Sequence, residues 1–222
     1  MARIVDLTLP IKPHWRWRFE VEKVLDYAKG DPLLDCTLTI DDHSFTHMDS
    51  PLHVEAGKTS LDRVPLDNLI GMAAVLNLSD VGDGEEITAE ELENRAGHLR
   101  PGDMALMRSS LELRHSWESA DFWKKAPYFG KSACRWVLDR GIKVVGFDFP
   151  NDYVVRELFG GERTPRVEEF LCHDIMLRAG VLMIEYMCNL HALRQERVML
   201  YALPIKIEGG AGAPARVLAI ED

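Results

Sequence analysis

The chain has 222 residues, of which 46% are hydrophobic and 28% charged, a composition typical of a globular protein. Its formal net charge of −10 argues against a general binder of nucleic acid or of anionic membranes. A single domain over residues 1–222 is expected, because no low-complexity stretch or long flexible linker interrupts the sequence.

Cysteine usage and the N-terminal segment predict the compartment. The four cysteines form no CxxC pair, and the chain opens on a strand-like run instead of a signal peptide. No apolar run has the length that a bilayer span requires. We therefore expect a cytoplasmic protein with reduced thiols and no membrane partner.

The pattern of apolar residues predicts strands and helices that alternate only in the middle of the chain. Strands are expected at about 2–9, 36–48, 72–78, 103–109, 143–149, 181–186, 198–207 and 215–221, and helices at about 65–70, 89–97, 131–140 and 167–179. Strands follow one another towards the C-terminus, with a turn at Gly209–Gly212. This order predicts an α/β fold, a single domain with mixed sheets and flanking helices.

Local signals fix several of these helix ends. Thr88 and Glu91 form a capping box at the start of the second helix. Gly141 and Gly180 each follow a helix and precede an apolar strand, as expected for glycines that end helices.

An aromatic segment precedes the second strand. Residues 15–19 read Trp-Arg-Trp-Arg-Phe, so an extended backbone places three rings on one side and two arginines on the other. The surrounding segment 11–31 is either a flap over a pocket, a surface that meets another subunit, or a locally packed arm. Trp15 and Trp17 are candidate contacts for a flat aromatic substrate, although such residues more often belong to a core or an interface.

The most informative segment holds three histidines and an aspartate at odd positions. Alternate residues of a strand point to the same side, so a strand through 43–49 puts His43, His47 and Asp49 on one face. The alternative is a set of unrelated histidines near a loop. Three of the eight histidines in the chain fall in this short window, which favours a shared site.

The residues that follow extend this predicted site. Pro51 ends the strand, because it cannot donate to a ladder, and the turn brings His53 back towards the same point. Nitrogen and carboxylate ligands on one face suit a first-row metal such as zinc, manganese or iron.

A second pair of residues is expected to complete the site. His173 lies on the predicted helix 167–179, and Glu185 ends the strand after it. A tight reversal at Gly180 lays that strand back along the helix, so the two side chains end near each other. A buried carboxylate is costly unless it is paired or binds a metal. The alternatives are an ordinary helix histidine and a structural salt bridge of the glutamate with an arginine.

The first motif resembles the HxGTHxDxPxH signature of the metal-dependent cyclase family, which includes bacterial kynurenine formamidase and isatin hydrolase. Six of its seven fixed positions match, from His43 to His53. The pair His173 and Glu185 resembles the second ligand block of that family. Residues 4–8, 141–148 and 203–209 are similar to its other common stretches, so the resemblance covers most of the chain.

The resemblance implies a swivelling β/β/α-like domain, a homodimer or higher homo-oligomer, and hydrolysis of an amide C–N bond in a small-molecule formamide or lactam. It also implies one or two divalent ions, zinc or manganese. His43, His47 and Asp49 would bind the first ion. His173 and Glu185 would complete the site or hold a second ion that the aspartate bridges.

His53 is implied to be the catalytic acid/base. A divalent metal lowers the pKa of bound water to near ~7, and a histidine that titrates near neutrality can protonate a leaving amine. The alternatives for His53 are a further metal ligand and a partner that orients one.

One residue departs from the family pattern. Phe45 stands where the family has glycine, and on the predicted strand it points to the same side as the ligands. Phe45 is therefore a candidate substrate contact together with Trp15 and Trp17. Two rival functions remain open at this point: a hydrolase or cyclase acting on an ester or lactone, and a metal-binding protein that has lost catalysis because this ring blocks the pocket.

Overall fold

The structure is a computed structural model, and it describes residues 2–158 and 163–221. The strands are β1 Arg3–Asp6, β2 Phe19–Leu25, β3 Asp35–Ile40, β4 His47–Asp49, β5 Ile70–Asn77, β6 Glu86–Ile87, β7 Met104–Arg108, β8 Tyr128–Phe129, β9 Val144–Phe147, β10 Leu182–Glu185, β11 Arg197–Pro204 and β12 Gly212–Glu221. The α-helices are α1 Ala89–Arg95, α2 Ala120–Lys124 and α3 Lys131–Asp139. Within the described ranges, no helix is long and apolar enough to cross a membrane.

Seven strands close into a barrel. Their order is β12-β11-β5-β7-β9-β10-β4, and β4 pairs back onto β12. The neighbours β5, β7, β9 and β10 run parallel, whereas the remaining pairs of the ring are antiparallel. Strand β1 lies outside the ring. It pairs with the end of β12, on the same edge whose beginning pairs with β4. The predicted α/β fold with mixed sheet and flanking helices is confirmed.

The barrel strands separate two apolar layers, because side chains alternate between the faces of a strand. Met48, Val75 and Ile184 belong to the interior layer with residues from the other barrel strands. Leu76, Met107 and Met183 face the opposite way and pack with α1, α3 and the segment Cys172–Leu177. The outer face of β4 and β10 therefore lies against the helical layer.

Several local predictions are confirmed. Thr88 caps α1, and its side chain and that of Glu91 form the reciprocal capping box. Gly141 and Gly180 adopt positive φ angles of 67° and 100°, the left-handed conformation that glycine allows after a helix. The turn that contains Gly209 joins β11 to β12.

Other predictions were wrong in instructive ways. The predicted strand 36–48 breaks after Ile40, and residues 41–46 form turns in which Phe45 has a φ of 53°. The predicted helix 65–70 is a short 3-10 segment, Leu66–Asn68. The predicted helix 167–179 is a 3-10 turn followed by the π-helical segment Cys172–Leu177.

The hairpin of β2 and β3 was also not expected from the sequence. Its outer residues are exposed on both faces, and only Phe19 and Ile40 at its base pack against the core. The hairpin therefore begins directly after the aromatic segment and ends directly before the histidine motif.

Candidate metal centre

Strands β4 and β10 place three polar side chains on the outer face of the barrel. Glu185 pairs in register with His47, and Met183 pairs with Asp49. The side chains of His47, Asp49 and Glu185 are buried, at 1%, 0% and 7% exposed. The distance from His47 Nε2 is 3.2 Å to an Asp49 oxygen and 3.7 Å to a Glu185 oxygen. Ligand atoms of Asp49 and Glu185 lie within 4.8 Å of each other, so both carboxylates belong to one cluster.

His173 reaches this cluster from the π-helical segment. Its Nε2 atom lies 3.6 Å from Asp49 Oδ2 and 3.8 Å from Glu185 Oε1. Its Nδ1 atom is hydrogen-bonded to Asp152 at 2.6 Å, which orients the ring. The structure thus brings His173 and Glu185 together, as the helix–glycine–strand pattern predicted.

His43 joins the cluster by a different route from the one expected. It lies in the turn before β4, so the prediction of one strand through 43–49 was wrong. The ring nevertheless points to the same place, because its Nδ1 atom lies 2.7 Å from Asp49 Oδ1. A turn that contains the left-handed Phe45 directs His43 towards Asp49, whereas strand alternation was expected to do so.

The donor atoms of the cluster fit a divalent cation. His43, His47 and Asp49 form one group of possible ligands, and Asp49, His173 and Glu185 form a second, each with ligand atoms within 4.8 Å of one another. Asp49 Oδ2 and Glu185 Oε1 are buried and have no hydrogen-bond partner among the described residues. Because an unpaired buried carboxylate oxygen is costly, these two atoms indicate a place for a cation.

The electrostatics of the cluster support the same interpretation. Burial opposes a charge on His47, but Asp49, Glu185 and the Phe45 carbonyl together outweigh it and raise the pKa of His47 to about 9. Burial likewise opposes a charge on His173, but Asp152 and Glu185 raise its pKa to about 9. The cluster therefore has a negative potential that attracts positive charge, whether as protons or as a metal ion.

The backbone contact of His47 leaves one nitrogen of its ring directed at the cluster. His47 Nδ1 lies 2.9 Å from the carbonyl oxygen of Phe45, which can only accept, so this nitrogen donates. The Nε2 atom of the neutral ring is then the acceptor and faces Asp49 and Glu185. A nitrogen lone pair aimed at two carboxylates is suited to metal binding.

His53 borders the cluster and belongs to neither group of possible ligands. Its ring stacks on His43 with the centroids 3.7 Å apart, and the His173 ring lies 5.5 Å away. The residue is open to solvent on one side. Desolvation by the packed side lowers the pKa of His53, and the neighbouring histidines add to this effect against the attraction of Asp49. The ring is therefore uncharged at neutral pH.

A cavity of about 480 Å³ opens beside the cluster. It is lined by Trp15, Arg16, Trp17, His43, Leu158 and Tyr186. The two tryptophans expected to contact a substrate thus lie on its wall. Phe45 does not: its ring is fully buried and packs on Trp17 with the centroids 4.7 Å apart. The expectation that Phe45 contacts substrate directly was wrong, because the turn at residue 45 directs the ring into the core.

Two residues of the site were missed by sequence reasoning. Asp152 orients His173. It lies four positions after Asp148, and no periodic pattern in the sequence marked it as a site residue. Gly212 lies against the His43 ring, where any side chain would collide with it. The turn-like glycine run hid this role, because only the pairing of β12 with β4 brings Gly212 next to the motif.

The sequence and the fold match known proteins. Residues 5–151, more than half of the chain, match the model of the Cyclase family. The chain therefore belongs to the Cyclase family.

Named relatives extend along nearly the whole chain. Kynurenine formamidase of Bordetella petrii is 24% identical over 213 residues, which cover 96% of this chain and 88% of the relative. Isatin hydrolase of Roseibium aggregatum is 25% identical over 219 residues, covering 91% and 81%. The structure of isatin hydrolase A from Labrenzia aggregata, bound to benzyl benzoate, superposes with a TM-score of 0.81 at 25% identity over 99% of this chain and 93% of that one. These relatives are hydrolases, which supports a hydrolase with a divalent metal site.

Proposed function

We propose that the protein is a metal-dependent hydrolase that cleaves the amide C–N bond of a small formamide or lactam. The observation that carries the proposal is the pair of buried oxygens Asp49 Oδ2 and Glu185 Oε1. They have no hydrogen-bond partner among the described residues, and they lie among histidine nitrogens below an aromatic cavity. The relatives that cleave such bonds support the reaction class.

The residues of the cluster have separate roles in this proposal. His43, His47 and Asp49 would hold a first zinc or manganese ion, and His173 and Glu185 would complete that site or hold a second ion shared through Asp49. The chemistry that a divalent ion supplies here is polarisation of a carbonyl and acidification of water to a pKa near ~7. Asp152 keeps the His173 ring in place by its hydrogen bond.

His53 is positioned to move the proton that amide cleavage requires. An amine leaves poorly unless it is protonated, and a neutral imidazole can take a proton from water and return it to the leaving nitrogen. Its ring adjoins two of the proposed ligands and has an open side towards solvent. The walls formed by Trp15, Trp17 and Tyr186 suit a flat group on the substrate.

Elemental analysis of the purified protein, followed by a hydrolysis screen, tests the proposal. The screen would compare formamides, lactams and aryl esters with added zinc or manganese. We expect bound metal, and turnover of a formamide or lactam that a chelator abolishes. Turnover confined to esters or lactones would contradict the amide as substrate and favour the alternative hydrolase of esters or lactones.

A matched pair of histidine variants provides the control. His47→Ala should lose both metal and activity, whereas His115→Ala should keep both, because His115 pairs with Asp83 away from the cluster. Bound metal without turnover of any substrate would favour a non-catalytic metal-binding protein. Homo-oligomeric assembly and a cytoplasmic location stay predictions from the sequence.

A further inference from the structure

Arg16 brings a positive charge to the wall of the substrate cavity. It lines that cavity together with His43, one of the proposed ligands, and with Trp15, Trp17 and Tyr186. Its guanidinium carbon lies 4.3 Å from the centre of the Trp123 ring. Trp123 is buried, so this contact holds the guanidinium against a rigid aromatic surface.

The surroundings of Arg16 differ from those of an ordinary surface arginine. The residue is half-buried, and burial lowers the pKa of its guanidinium, against the opposing effects of Tyr186 and Glu185. The charge of Arg16 is thus partly desolvated, and it interacts electrostatically with the cluster of proposed metal ligands. A cation in such an environment attracts an anion more strongly than one in bulk water.

The geometry of the guanidinium favours a carboxylate as the anion. The Trp123 ring lies beside the guanidinium carbon, and the N–H donors of a guanidinium form a planar fork that matches the two oxygens of a carboxylate. The neighbouring walls are aromatic, which suits a ring that carries this carboxylate.

We propose that Arg16 is a specificity-determining residue that binds a carboxylate on the substrate, so that the preferred substrates are aryl amides bearing a carboxylate. The inference rests on the proposed function for the reaction, but the binding of the carboxylate can be measured without turnover. The competing roles of Arg16 are packing on Trp123 and balancing the charge of Glu185, and neither would distinguish an acid from its neutral isostere.

Product-type ligands provide the test. The three isomeric aminobenzoates and the matching aminobenzamides would be titrated calorimetrically into zinc-loaded and metal-free protein. The variants are Arg16→Gln, Arg16→Met and Arg16→Lys, and Arg18→Gln is the control. Arg18 lies two residues away, is exposed, and pairs with Glu20.

We expect at least one aminobenzoate to bind wild type more tightly than its amide, in both metal states. Arg16→Gln and Arg16→Met should weaken that acid roughly 10–100-fold, the value of a charge-assisted hydrogen bond, and leave the amide nearly unchanged. Arg16→Lys keeps the charge without the planar fork and should lose less. Arg18→Gln should bind like wild type.

Several results would overturn the inference. These are no acid preference in wild type, an acid preference that survives in both neutral variants, and an equal loss of acid and amide, which would mark a packing role. Melting temperatures and metal contents show which variants are folded, and Arg16→Met retains an apolar contact with Trp123 if the glutamine variant is unstable. Failure of the proposed function is recognised separately, as no hydrolysis of formanilide or of formamidobenzoates by zinc-loaded or manganese-loaded wild type.

Discussion

At the scale of single residues, His53 distinguishes an enzyme from a protein that only binds metal. His53 belongs to neither of the two groups of possible metal ligands. Its ring is nevertheless held against His43 by stacking, and it keeps an open side towards solvent. This position allows proton transfer or orientation of His43, and substitution separates the two roles.

We predict that His53→Ala keeps the metal and the fold but lowers kcat by roughly 10²–10⁴-fold, the usual contribution of general acid–base catalysis. Bound metal, melting temperature and kcat would be measured on one preparation. Lower metal occupancy, with activity restored by excess metal, would instead make His53 a ligand or an orienting partner. Full activity of the metal-replete variant would contradict the proposed mechanism and leave the metal site intact.

At the scale of elements, the start of β12 limits where the His43 ring can lie. Gly212 pairs in register with Asp49, and a Cβ atom there would lie 2.8 Å from His43 Nδ1 and 3.0 Å from Nε2. Both distances are too short for non-bonded contacts, so the ring or the strand would have to move.

Gly212→Ala should therefore weaken metal binding roughly 10–100-fold, as the loss of a supporting contact of a ligand does. The matched control is Gly71→Ala in β5, where the new Cβ atom would lie 3.5 Å from the flexible end of Met104. Metal affinity from a competitive chelator titration and melting temperature would be measured for both variants. Equal affinities in the two variants would show that His43 is not a ligand or that the strand yields easily.

Asp148, directly after β9, couples two strand ends. Its Oδ1 atom accepts hydrogen bonds from the amide (2.8 Å) and hydroxyl (2.7 Å) of Ser109, and its Oδ2 atom accepts one from the amide of Ser110 at 2.9 Å. Burial outweighs these bonds and raises the pKa of Asp148 to about 6. In the unfolded chain the pKa is near 3.8, so the folded state binds more protons between these values.

The contribution of Asp148 to stability should therefore be fully present below about pH 4 and fall as the pH rises through about 6. A shift of about two pKa units corresponds to roughly 3 kcal/mol. The test compares the free energies of urea unfolding of wild type and Asp148→Asn from pH 4 to 7. Wild type should lose stability relative to the variant over this range. A constant difference between the two proteins would contradict the pKa shift.

Sequence reasoning succeeded where the signal is local. The capping box at Thr88 and the glycines 141 and 180 mark element ends through interactions within a few residues, and they were correctly placed. It failed at residues 41–46, where the odd-numbered positions of His43, His47 and Asp49 imitate a strand while Phe45 takes a left-handed conformation that is uncommon for a phenylalanine. The hairpin β2–β3 was missed because its strands are largely exposed, so that β2 mixes apolar with charged residues and lacks the apolar run that marked the other strands.

At the scale of the whole molecule, closure of the barrel assembles the site. The histidine motif, the π-helical segment, β10 and the start of β12 are distant in sequence, and β4 becomes their common neighbour only because it pairs with both β10 and β12. Sequence patterns predicted that His173 and Glu185 meet the histidine motif, although the segment that carries His173 is π-helical and not the expected α-helix. The contribution of Gly212 depends on the register of two distant strands, which no local pattern specifies.

The same assembly predicts that a bound cation stabilises the folded state. The cluster holds the carboxylates of Asp49 and Glu185 close together in a buried place, which disfavours folding unless protons or a cation compensate them. A cation that binds only the folded chain stabilises it by mass action, by about 2.7 kcal/mol at a free concentration of 100 Kd.

We therefore predict that zinc or manganese raises the melting temperature of chelator-treated protein. For a chain of this length, about 2.7 kcal/mol corresponds to a rise of roughly 5–10 °C. Scanning calorimetry would compare wild type with His47→Ala at matched free metal. The variant should melt at one temperature with or without metal, because it lacks a nitrogen that faces both carboxylates. An equal rise in the two proteins would place the stabilising ion elsewhere in the molecule, and no rise in wild type would contradict the metal centre itself.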